Sequence, residues 1–545
     1  MTAIIPALNQ LIHEKGHITN ADLGALAERL GVPLYRLEGV VSFYPFFRRT
    51  PPPRASIALC RDVACRLAGG AGWCGEARAE LEKIAGVEVH EVSCIGRCDM
   101  APAAAVNERP VSASIAGRAE LVALAKTPPA REAPPLPPRS ARRWPSDPYA
   151  GPEGHYGVLA RLLEGGLDEG AVVAALEVSG LRGMGGAGFP TGLKWKLVRK
   201  EPGPIKYVVC NADESEPGTF KDRVILDDLP HLVLEGMILA GLTTGAEKGI
   251  VFIRHEYAAE RESLARSLVE ARRRGVVGPN VLGSGRAFDI EIFVSPGGYI
   301  LGEETALLEC LEDRRGEPRN KPPFPGQKGL FNRPTLINNV ETLSLVPTIL
   351  DRGPEAWKAR GVRGSTGLKF ISISGDVERP GVHQVPMGTT IGELIALAGG
   401  VRDGKKILAI APGGASSNFL RADAVDAPLD FKALADRGSM LGSGAVLVIA
   451  EGADIVDLAA NVVSFFRNES CGKCVPCRVG TEKAVGILDE AARGHGSKRH
   501  LALLPQLAET LAETSICGLG HVALGPFLSV LRAFEPEVLA RFPEE

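Results

Sequence analysis

The sequence predicts a multidomain protein of the α/β and α+β classes with a helical C-terminal part, and three observations lead to this prediction. The chain has 545 residues, 45% of them hydrophobic and 23% charged, which is enough for about three to five domains with packed cores. In the middle of the chain predicted strands alternate with helices, and shorter strands separated by turn signals follow them. A segment rich in proline, arginine and serine divides the first predicted domain from the rest.

The first predicted domain covers residues 1–125 and begins with helices. Asn20 is the expected N-cap of a helix over residues 21–30. The rest reads as a small α/β unit, because apolar and polar residues alternate in its second strand. Its two strands and one helix are predicted over residues 54–59, 87–92 and 76–84.

Three further domains are predicted after a linker over residues 126–153, which has no hydrophobic periodicity. Residues 154–350 predict an α/β domain in which strands alternate with helices. Its clear strands lie over residues 205–210, 249–254 and 289–295. Residues 366–450 hold short strands, over 368–374 and 445–449, and predict a small β-rich α+β domain. Residues 452–545 predict a helical domain.

Composition excludes several classes of function. The net charge is −3, so the chain lacks the basic excess typical of nucleic-acid binding. It has no apolar run of membrane-spanning length and no basic start of a signal peptide, so we expect a cytoplasmic protein without membrane insertion. In that reducing compartment the eleven cysteines indicate metals rather than disulfides. Cys74, Cys210 and Cys310 stand apart from the others and are expected to be small buried residues.

A C-terminal cysteine group has the spacing of an iron–sulfur site. Cys471, Cys474 and Cys477 are each separated by two residues, and Cys517 follows at a distance. A short, turn-rich segment can reach three irons of a [4Fe-4S] cluster, and a remote thiolate completes it. A structural zinc site is the alternative, although zinc more often uses two separated C-x2-C pairs.

An N-terminal cysteine group consists of two pairs, Cys60 with Cys65 and Cys94 with Cys98. Each pair follows a predicted strand, so the four thiols can converge at one end of neighbouring strands. Two irons that need two thiolates each suit this arrangement, which predicts a [2Fe-2S] cluster. Zinc is again the alternative, and a redox-active dithiol is disfavoured because neither pair is C-x-x-C.

A glycine-rich loop over residues 183–188 formally matches G-x-G-x-x-G. A predicted helix over residues 169–177 precedes it where the dinucleotide fingerprint requires a strand, so we reject a Rossmann domain. Clustered glycines still indicate a backbone that lies close to a ligand. Lys194 is placed to meet a phosphate and Phe189 to stack on a flat ring, although a plain glycine-rich turn is the alternative.

An acidic loop over residues 211–218 follows the first strand of that domain. It carries Asn211, Asp213, Glu214 and Glu216, and carboxylates so close together repel one another. Carboxylate and amide groups can bind ribityl or ribose hydroxyls, which favours a ligand site. A solvated surface turn is the alternative.

A further loop leads into a predicted helix over residues 305–311 and contains Tyr299, Gly302, Glu303 and Glu304. A helix N-terminus after such a loop can hold phosphate, but the two glutamates argue for hydroxyl or amide binding instead. More polar and aromatic groups follow along the chain. They are Lys321, Phe324, Asn338 and Asn339.

Together these motifs closely resemble the flavin-binding, NADH-oxidising subunit of respiratory NADH:quinone oxidoreductase. Five motifs carry the resemblance, over residues 181–195, 211–218, 302–306, 337–342 and 469–478. Residues 1–125, with Val40-Val-Ser-Phe-Tyr44 and the two cysteine pairs, resemble the thioredoxin-like [2Fe-2S] subunit of the same enzyme. The resemblance implies that two subunits are fused through the linker, with a truncated N-terminal helical part as one departure.

The resemblance also implies the fold and ligands of each part: a thioredoxin-like [2Fe-2S] domain, an FMN-binding α/β domain, a ubiquitin-like β-grasp domain over residues 366–450 and a helical [4Fe-4S] domain. The implied FMN contacts are Gly183, Gly185, Gly186, Lys194, Asn211, Asp213, Gly302, Glu303, Asn338 and Asn339. The implied NAD contacts are Phe189, Glu214, Glu216, Tyr299, Glu304, Lys321 and Phe324. No residue is assigned as an acid or base catalyst, because FMN passes electrons between nicotinamide and the clusters.

Fused chains of this kind resemble the diaphorase subunits of NAD-dependent formate dehydrogenases and NAD-reducing hydrogenases. Met184, the segment over residues 252–257, the segment over residues 514–520 and the complete N-terminal cysteine group favour formate dehydrogenase. The expected partner is therefore a catalytic subunit with a molybdenum or tungsten pterin site and further iron–sulfur clusters. The alternatives are a hydrogenase, an NADH:quinone oxidoreductase, and a zinc-stapled scaffold without enzymatic activity.

Overall fold

The computed structural model describes residues 4–114, 117–129 and 142–544, and it begins with three helices: α1 (Ile4–Lys15), α2 (Asn20–Leu30) and α3 (Leu34–Val41). The predicted N-cap of α2 is wrong by one residue. Thr19 is the cap, because its hydroxyl accepts a hydrogen bond from the Asp22 amide while the Asp22 carboxylate accepts one from the Thr19 amide. Asp313 accepts from the amides of Ile4 and Ile5 at 3.0 and 2.8 Å, which joins α1 to the following domain.

The first sheet has a hydrophobic core of its own. Its strands lie in the order β2 (Val87–Val92), β1 (Ala55–Cys60), β3 (Ala103–Val106) and β4 (Arg109–Ser112). β1 and β2 are parallel, and the other neighbours are antiparallel. Cys60 at the end of β1 lies opposite Val92 at the end of β2, so the loops after both strands meet at one edge. The elements are β1 (Ala55–Cys60), α4 (Val63–Gly69), α5 (Trp73–Leu81), β2 (Val87–Val92), β3 (Ala103–Val106), β4 (Arg109–Ser112) and α6 (Arg118–Lys126).

The predicted linker over residues 126–153 is only partly covered, since residues 130–141 lie outside the described residues. Its last part packs against the body of the protein. Trp144 is 4% exposed, and its indole N–H donates to Asp228 at 2.8 Å. The hydroxyl of Tyr149 donates to Glu235. A tryptophan at this position buries a large apolar ring and still has a hydrogen-bond partner for its N–H.

The second sheet is fully parallel. Its strands lie in the order β7 (Asp289–Ser295), β6 (Lys248–Arg254), β5 (Tyr207–Ala212) and β8 (Thr335–Asn339). Its strands therefore all end at the same edge, where ligands bind in open α/β sheets. The helix α11 (Pro230–Thr244) is buried along its whole length. The elements are α7 (Gly157–Glu164), α8 (Glu169–Ser179), α9 (Thr191–Lys200), β5 (Tyr207–Ala212), α10 (Lys221–Asp228), α11 (Pro230–Thr244), β6 (Lys248–Arg254), α12 (Ala258–Arg273), β7 (Asp289–Ser295), α13 (Glu304–Leu311), α14 (Pro325–Lys328), β8 (Thr335–Asn339), α15 (Val340–Arg352) and α16 (Pro354–Lys358).

The strands of the third sheet lie in the order β10 (Gly381–Pro386), β9 (Leu368–Gly375), β13 (Ala445–Ala450), β11 (Ile407–Ala411) and β12 (Leu420–Arg421). The β9–β13 pair is parallel, and the remaining pairs are antiparallel. β9 and β13 are almost fully buried, and β13 has the continuous apolar sequence typical of such a strand, whereas β9 also contains Lys369 and two serines. The elements are β9 (Leu368–Gly375), β10 (Gly381–Pro386), α17 (Ile391–Leu397), β11 (Ile407–Ala411), β12 (Leu420–Arg421), α18 (Phe431–Asp436) and β13 (Ala445–Ala450).

The C-terminal part is helical and packs around the helix α19 (Ile455–Glu469). This helix contacts α20, α24 and also α4 of the first sheet, so it links the two cysteine groups structurally. Within the described residues no helix combines the length and apolar character that a bilayer crossing requires. The elements are α19 (Ile455–Glu469), α20 (Val475–Ala492), α21 (Lys498–Leu501), α22 (Leu503–Thr514), α23 (Gly518–Val522), α24 (Gly525–Ala533) and α25 (Glu535–Leu539).

Candidate functional site

The two pairs of the N-terminal cysteine group meet at the shared edge of β1 and β2. Cys60 ends β1 and Cys65 lies in α4, while Cys94 and Cys98 lie in the loop after β2, here called the cysteine loop. All four are buried. The sulfurs of Cys94 and Cys98 are 3.5 Å apart, and the Cys60 thiol contacts those of Cys65 and Cys94. The parallel pairing of the strands thus brings the four thiols together.

The four thiols differ in how readily they ionise: contacts with Cys65 and Cys94 raise the pKa of Cys60, and contact with Cys94 raises that of Cys98, both well above the usual range. Contacts with the Cys60 and Cys98 thiols hold the pKa of Cys94 well below its usual range. The amides of Gly96 and Ala103 donate to the sulfurs of Cys94 and Cys65 at 3.4 and 3.3 Å. Gly96 has a φ of 72°, a conformation that leaves its amide free for this contact. Thiolates with N–H donors directed at sulfur suit an iron–sulfur cluster.

The C-terminal cysteine group lies near the protein surface. Cys471 and Cys474 occupy the loop between α19 and α20, Cys477 lies in the first turn of α20, and Cys517 directly precedes α23. Cys477 is buried, whereas the other three are partly exposed. Its sulfur lies 3.2 Å from the Ser470 hydroxyl. Burial raises the pKa of Cys477 to about 11, and the nearby Cys474 and Cys471 add to this shift. Burial also raises the pKa of Cys517 to about 12, with Cys471 among the further causes.

The glycine-rich loop forms a closed turn between α8 and α9. The Gly183 amide donates to the Phe189 carbonyl at 2.8 Å. A Cβ atom on Gly185 would lie 2.9 Å from Cβ of Asn339, so the loop can approach that strand end only with glycine. A Cβ atom on Gly186 would meet nothing within 4 Å. One side of the loop is therefore packed on β8 and the other is open to a ligand.

Lys194 lies beside this loop, at the start of α9. Its ammonium group donates to the Ile337 carbonyl at 3.2 Å and lies 3.9 Å from Glu304. Burial lowers its pKa, while the Glu304 charge opposes that shift. The ammonium group also lies 5.9 Å from the ring centre of Phe189, which is 41% exposed. A cation and an accessible aromatic face thus stand next to the open side of the loop.

The acidic loop begins where β5 ends. The Asn211 side chain donates to the Gly302 carbonyl at 2.9 Å and accepts from the Asp213 amide at 3.1 Å. Asp213 is 5% exposed, and burial raises its pKa to about 7. Ser215 donates to one of its carboxylate oxygens, whereas Oδ1 is buried without a partner among the described residues. A ligand hydroxyl can satisfy that oxygen, so the loop fits the ribityl chain of FMN.

Glu214 and Glu216 of the same loop face different neighbours. The Glu214 carboxylate accepts from the amides of Asp222 and Arg223, at 2.8 and 3.1 Å, and from the Tyr257 hydroxyl. It therefore stabilises the start of α10. The Glu216 carboxylate accepts from the Tyr299 hydroxyl at 2.8 Å and from the Ser416 amide at 2.6 Å.

The loop after β7 brings its glutamates to Lys321. Glu303 accepts from the amides of Thr305 and Ala306 and is the N-cap of α13, so this helix begins at Glu304 rather than at the predicted Thr305. The Lys321 ammonium group donates to Glu303 at 2.8 Å and to Glu304 at 2.9 Å. Phe324, three residues further on, is 55% exposed.

The two predicted asparagines have internal partners. The Asn338 carbonyl oxygen accepts from the Trp195 indole at 2.9 Å. The Asn339 amide donates to Asp222 at 2.6 Å, and its carbonyl oxygen accepts from the Glu341 amide. Both side chains thus orient neighbouring elements, and Asn339 does so directly beneath Gly185.

Several residues of this region had no local signal in the sequence. Ser416 comes from the loop after β11 and Lys369 from β9. Lys369 is 1% exposed and donates to Glu341 at 3.1 Å and to the Met184 carbonyl at 3.4 Å. Lys369 is the exception, because a charged residue inside a buried strand of apolar residues, serines and a glycine is itself a signal. Arg254 and Tyr257, at the end of β6 and after it, also contact the acidic loop, although the segment over residues 252–257 was interpreted only as a feature that favours formate dehydrogenase.

Comparisons with known proteins agree with this division of the chain. Residues 1–122 match the family model "Thioredoxin-like [2Fe-2S] ferredoxin", and residues 176–348 match "Nuo51 FMN-binding domain". Residues 370–417 match "SLBB domain", and residues 457–541 match "NADH-ubiquinone oxidoreductase-F iron-sulfur binding region". The predicted cofactors FMN, [2Fe-2S] and [4Fe-4S] are thereby confirmed, as is the mixed α/β content.

Individual relatives show the same pattern. The F 2 subunit of NADH-quinone oxidoreductase in Rhizobium meliloti (strain 1021) is 42% identical over 392 residues, which cover 72% of this chain and 93% of that protein. The HndC subunit of the NADP-reducing hydrogenase in Solidesulfovibrio fructosivorans is 39% identical over 400 residues, or 73% of this chain and 81% of that one. A crystal structure of an NAD+-reducing [NiFe]-hydrogenase in the H2-reduced state superposes with a TM-score of 0.88 at 31% identity, covering 100% of this chain and 94% of the other.

Proposed function

The chain belongs to the family of the NADH-quinone oxidoreductase F subunits, and from this premise we propose that it is the diaphorase subunit of an NAD-dependent formate dehydrogenase. As a member of that family it is a subunit of an NAD-dependent flavin and iron–sulfur oxidoreductase. FMN, when bound, exchanges electron pairs with nicotinamide and single electrons with the clusters. The net reaction of the proposed enzyme is formate plus NAD+ to carbon dioxide plus NADH.

The observation that carries the proposal is the meeting of three loops at one edge of the parallel sheet. The glycine-rich loop supplies an open backbone surface at Gly186, and the acidic loop supplies the unsatisfied oxygen of Asp213. The third loop, which follows β7, joins this edge to the helical C-terminal part, because the Tyr299 amide donates to Glu469 at 2.9 Å and its ring packs on Phe465.

We propose that the predicted FMN contacts hold the flavin by its ribityl and phosphate groups, with Gly185 and Gly186 in close backbone contact. Lys194 neutralises the phosphate charge in this assignment. The predicted NAD contacts line the outer side, where Phe189 and Phe324 offer exposed rings and Lys321 is held by two glutamates. Glu214 contributes to this site by holding the acidic loop in position. No side chain of this chain is assigned a proton transfer to the reacting atoms.

We propose ligand roles for both cysteine groups. Cys60, Cys65, Cys94 and Cys98 hold the [2Fe-2S] cluster, and Cys471, Cys474, Cys477 and Cys517 hold the [4Fe-4S] cluster. The domain division follows the sequence: residues 1–125, a linker over 126–153, then 154–350, 366–450 with a β-grasp fold, and 452–545. The partly exposed C-terminal group is the one that can face a partner protein.

The proposed partner is a catalytic subunit with a molybdenum or tungsten pterin site and further clusters. The fused chain, Met184 and the complete N-terminal cysteine group support formate as the donor. A hydrogenase is the second candidate, because the similarity to the NAD+-reducing [NiFe]-hydrogenase structure covers the whole chain. Respiratory NADH:quinone oxidoreductase is the third, because its F subunits are the relatives that define the family.

Purification of the chain together with its native partner tests the proposal. We expect the complex to contain molybdenum or tungsten and to reduce NAD+ with formate but not with hydrogen. Nickel in the complex, together with hydrogen-dependent reduction of NAD+, would instead support the hydrogenase. The isolated chain should show flavin and iron–sulfur absorption that bleaches with NADH, and a colourless protein would refute the diaphorase assignment itself.

A further inference from the structure

A single guanidinium group joins the cysteine loop to the acidic loop. Arg254, the last residue of β6, is 4% exposed. Its Nη2 donates to the Cys94 carbonyl at 3.1 Å, and its Nη1 donates to the Glu214 carbonyl. Cys94 lies in the cysteine loop, and Glu214 is the immediate neighbour of Asp213. One side chain therefore contacts the backbone of both loops.

The strand register explains why this residue reaches both loops. β5 and β6 are parallel, and Ala212 at the end of β5 pairs with Ile253, so the acidic loop starts beside Arg254. On the other side the cysteine loop lies very close to Tyr257. A Cβ atom on Gly96 would lie 2.4 Å from the Tyr257 hydroxyl oxygen, a distance that only glycine permits.

The guanidinium group is held in one orientation. Its Nε and Nη2 donate to the two carboxylate oxygens of Glu256, at 3.0 and 2.7 Å. Burial alone would raise the pKa of Glu256, but the charges of Arg254 and His255 lower it to about 2, so this carboxylate is ionised at neutral pH. The guanidinium centre also lies 5.2 Å from the ring centre of Tyr257. Because the planar guanidinium group is held by all of these partners, it cannot rotate away from the carbonyls of Cys94 and Glu214.

Tyr257 provides a second connection through the same place. Its hydroxyl lies beneath Gly96 and donates to the Glu214 carboxylate at 3.0 Å. That carboxylate also accepts from the Asp222 amide, so the acidic loop, the cysteine loop and α10 share one buried set of contacts. A displacement of the cysteine loop must therefore act on the acidic loop, because buried polar groups do not give up partners without cost.

We propose that Arg254 is a positioning residue that couples occupancy of the [2Fe-2S] site to retention of FMN. The inference rests on the proposed roles of Cys94 as a cluster ligand and of Asp213 as a flavin contact. A bound cluster fixes the Cys94 backbone, the Cys94 carbonyl fixes Arg254, and Arg254 fixes the Glu214 carbonyl beside Asp213. Loss of the cluster frees the Cys94 backbone and thereby loosens the contact of Arg254 with the Glu214 carbonyl. By linkage, bound FMN stabilises the cluster site to the same extent.

Four forms of the full chain test this coupling: the wild type, Cys60→Ser, Arg254→Lys and the double variant. Cys60 lies on β1, so its substitution removes a ligand and one thiol contact of Cys94 but leaves the sequence of the cysteine loop unchanged. Lysine keeps the charge of Arg254 but cannot reach both carbonyls. FMN affinity is measured from the fluorescence of flavin released on dilution, and cluster content is measured by electron paramagnetic resonance of the reduced protein.

We expect Cys60→Ser and Arg254→Lys each to weaken FMN binding about fivefold, and the double variant to bind FMN no more weakly than either. Arg223→Gln is the matched control, because Arg223 pairs with Asp99 at 2.8 Å across the same interface but its side chain contacts neither carbonyl. This control should retain the affinity of the wild type. Cys65→Ala removes a ligand from α4 instead and provides the same comparison if Cys60→Ser does not fold.

Two results would overturn the coupling. In the first, a ligand variant without a [2Fe-2S] signal binds FMN as tightly as the wild type. In the second, loss of the cluster weakens FMN binding equally with arginine and with lysine at position 254, so that the effects simply add. Absence of the [2Fe-2S] signal from the wild-type chain is distinguishable from both, since it would refute the cluster assignment and the coupling with it.

Discussion

The hydroxyl of Tyr299 donates a hydrogen bond to the carboxylate of Glu216 at 2.8 Å, and this contact connects the acidic loop with the helical C-terminal part. The tyrosine ring packs edge-on against Phe465, at a centroid distance of 4.9 Å, on the helix that leads to Cys471. Glu216 is also held by Ser416, which follows a strand of the third sheet. The second sheet, the third sheet and the C-terminal helices thus meet at one carboxylate.

Substitution of Tyr299 by phenylalanine should raise the KM for NADH about tenfold. The ring contacts stay, but Glu216 loses one donor, and a hydrogen bond to a charged group contributes about 1.5–3 kcal/mol. Steady-state reduction of ferricyanide by NADH measures the effect. Ser416→Ala removes the other hydroxyl donor and should act in the same direction. An unchanged KM with a lowered melting temperature would assign Tyr299 a purely structural role.

Asp213 makes the stability of the flavin-free protein depend on pH. Burial raises its pKa from 3.8 to about 7 in the folded state. Between these values the folded protein binds more protons than the unfolded chain, so stability falls as the pH rises from about 4 to about 7 and then levels off. The loss attributable to this group is at most about 4 kcal/mol.

Asp213→Asn should remove that part of the pH dependence and weaken FMN binding. Thermal unfolding of the flavin-free protein between pH 5 and pH 8 measures the first effect, and the variant should exceed the wild type in stability at the upper end. Glu235→Gln is the control, because Glu235 also has a pKa raised to about 7 by burial but accepts from Tyr149 and Leu159 instead. It should alter the pH profile and leave FMN affinity unchanged.

The two cysteine groups and the three loops were predictable because most of their residues stand in short, recognisable motifs, although Cys517 is distant in sequence from its three partners. Cys60 and Cys94 follow strands whose alternation is visible, and parallel pairing then brings their loops together. The direction of individual side chains was not predictable. Spacing alone cannot tell that Glu214 turns to the α10 amides while Glu216 turns to Tyr299. Such choices depend on partners, among them Ser416, that come from distant segments.

Substitution of Lys369 by methionine should destabilise the glycine-rich loop. Lys369 shares the Glu341 carboxylate with Lys221, whose ammonium group lies 2.8 Å from it, and it also donates to the Met184 carbonyl. Glu341 keeps Lys221 and the Phe370 amide, so we expect a loss of about 1–3 kcal/mol rather than the larger penalty of an unpaired buried charge.

Chemical denaturation of the Lys369→Met variant measures this loss, and FMN release measures its effect on the loop. Lys206→Met is a suitable control, because Lys206 is also buried but donates to the carbonyls of Val198 and Arg199, away from Met184. It should lower stability without accelerating FMN release. Equal FMN release from both variants would show that Lys369 does not position the loop.

Two valines beside the C-terminal cysteine group predict where the catalytic partner binds. Val475 and Val479 are 58% and 55% exposed and lie one turn apart on α20, next to Cys474 and Cys477. Exposed apolar side chains beside a partly exposed cluster site suit an interface through which electrons pass. The double variant Val475→Glu, Val479→Glu should therefore lose binding to the catalytic partner, while NADH-dependent ferricyanide reduction by the free chain continues.

Co-purification and gel filtration with the native partner measure this loss. Val269→Glu is the control, because Val269 is 64% exposed on α12 and lies on a helix that carries none of the cluster cysteines. It should tolerate the same charge without loss of the complex, since an exposed valine outside an interface contributes little to binding. A complex that survives the double variant would place the partner on another face, because two buried glutamates at the centre of an interface carry a desolvation cost of several kcal/mol.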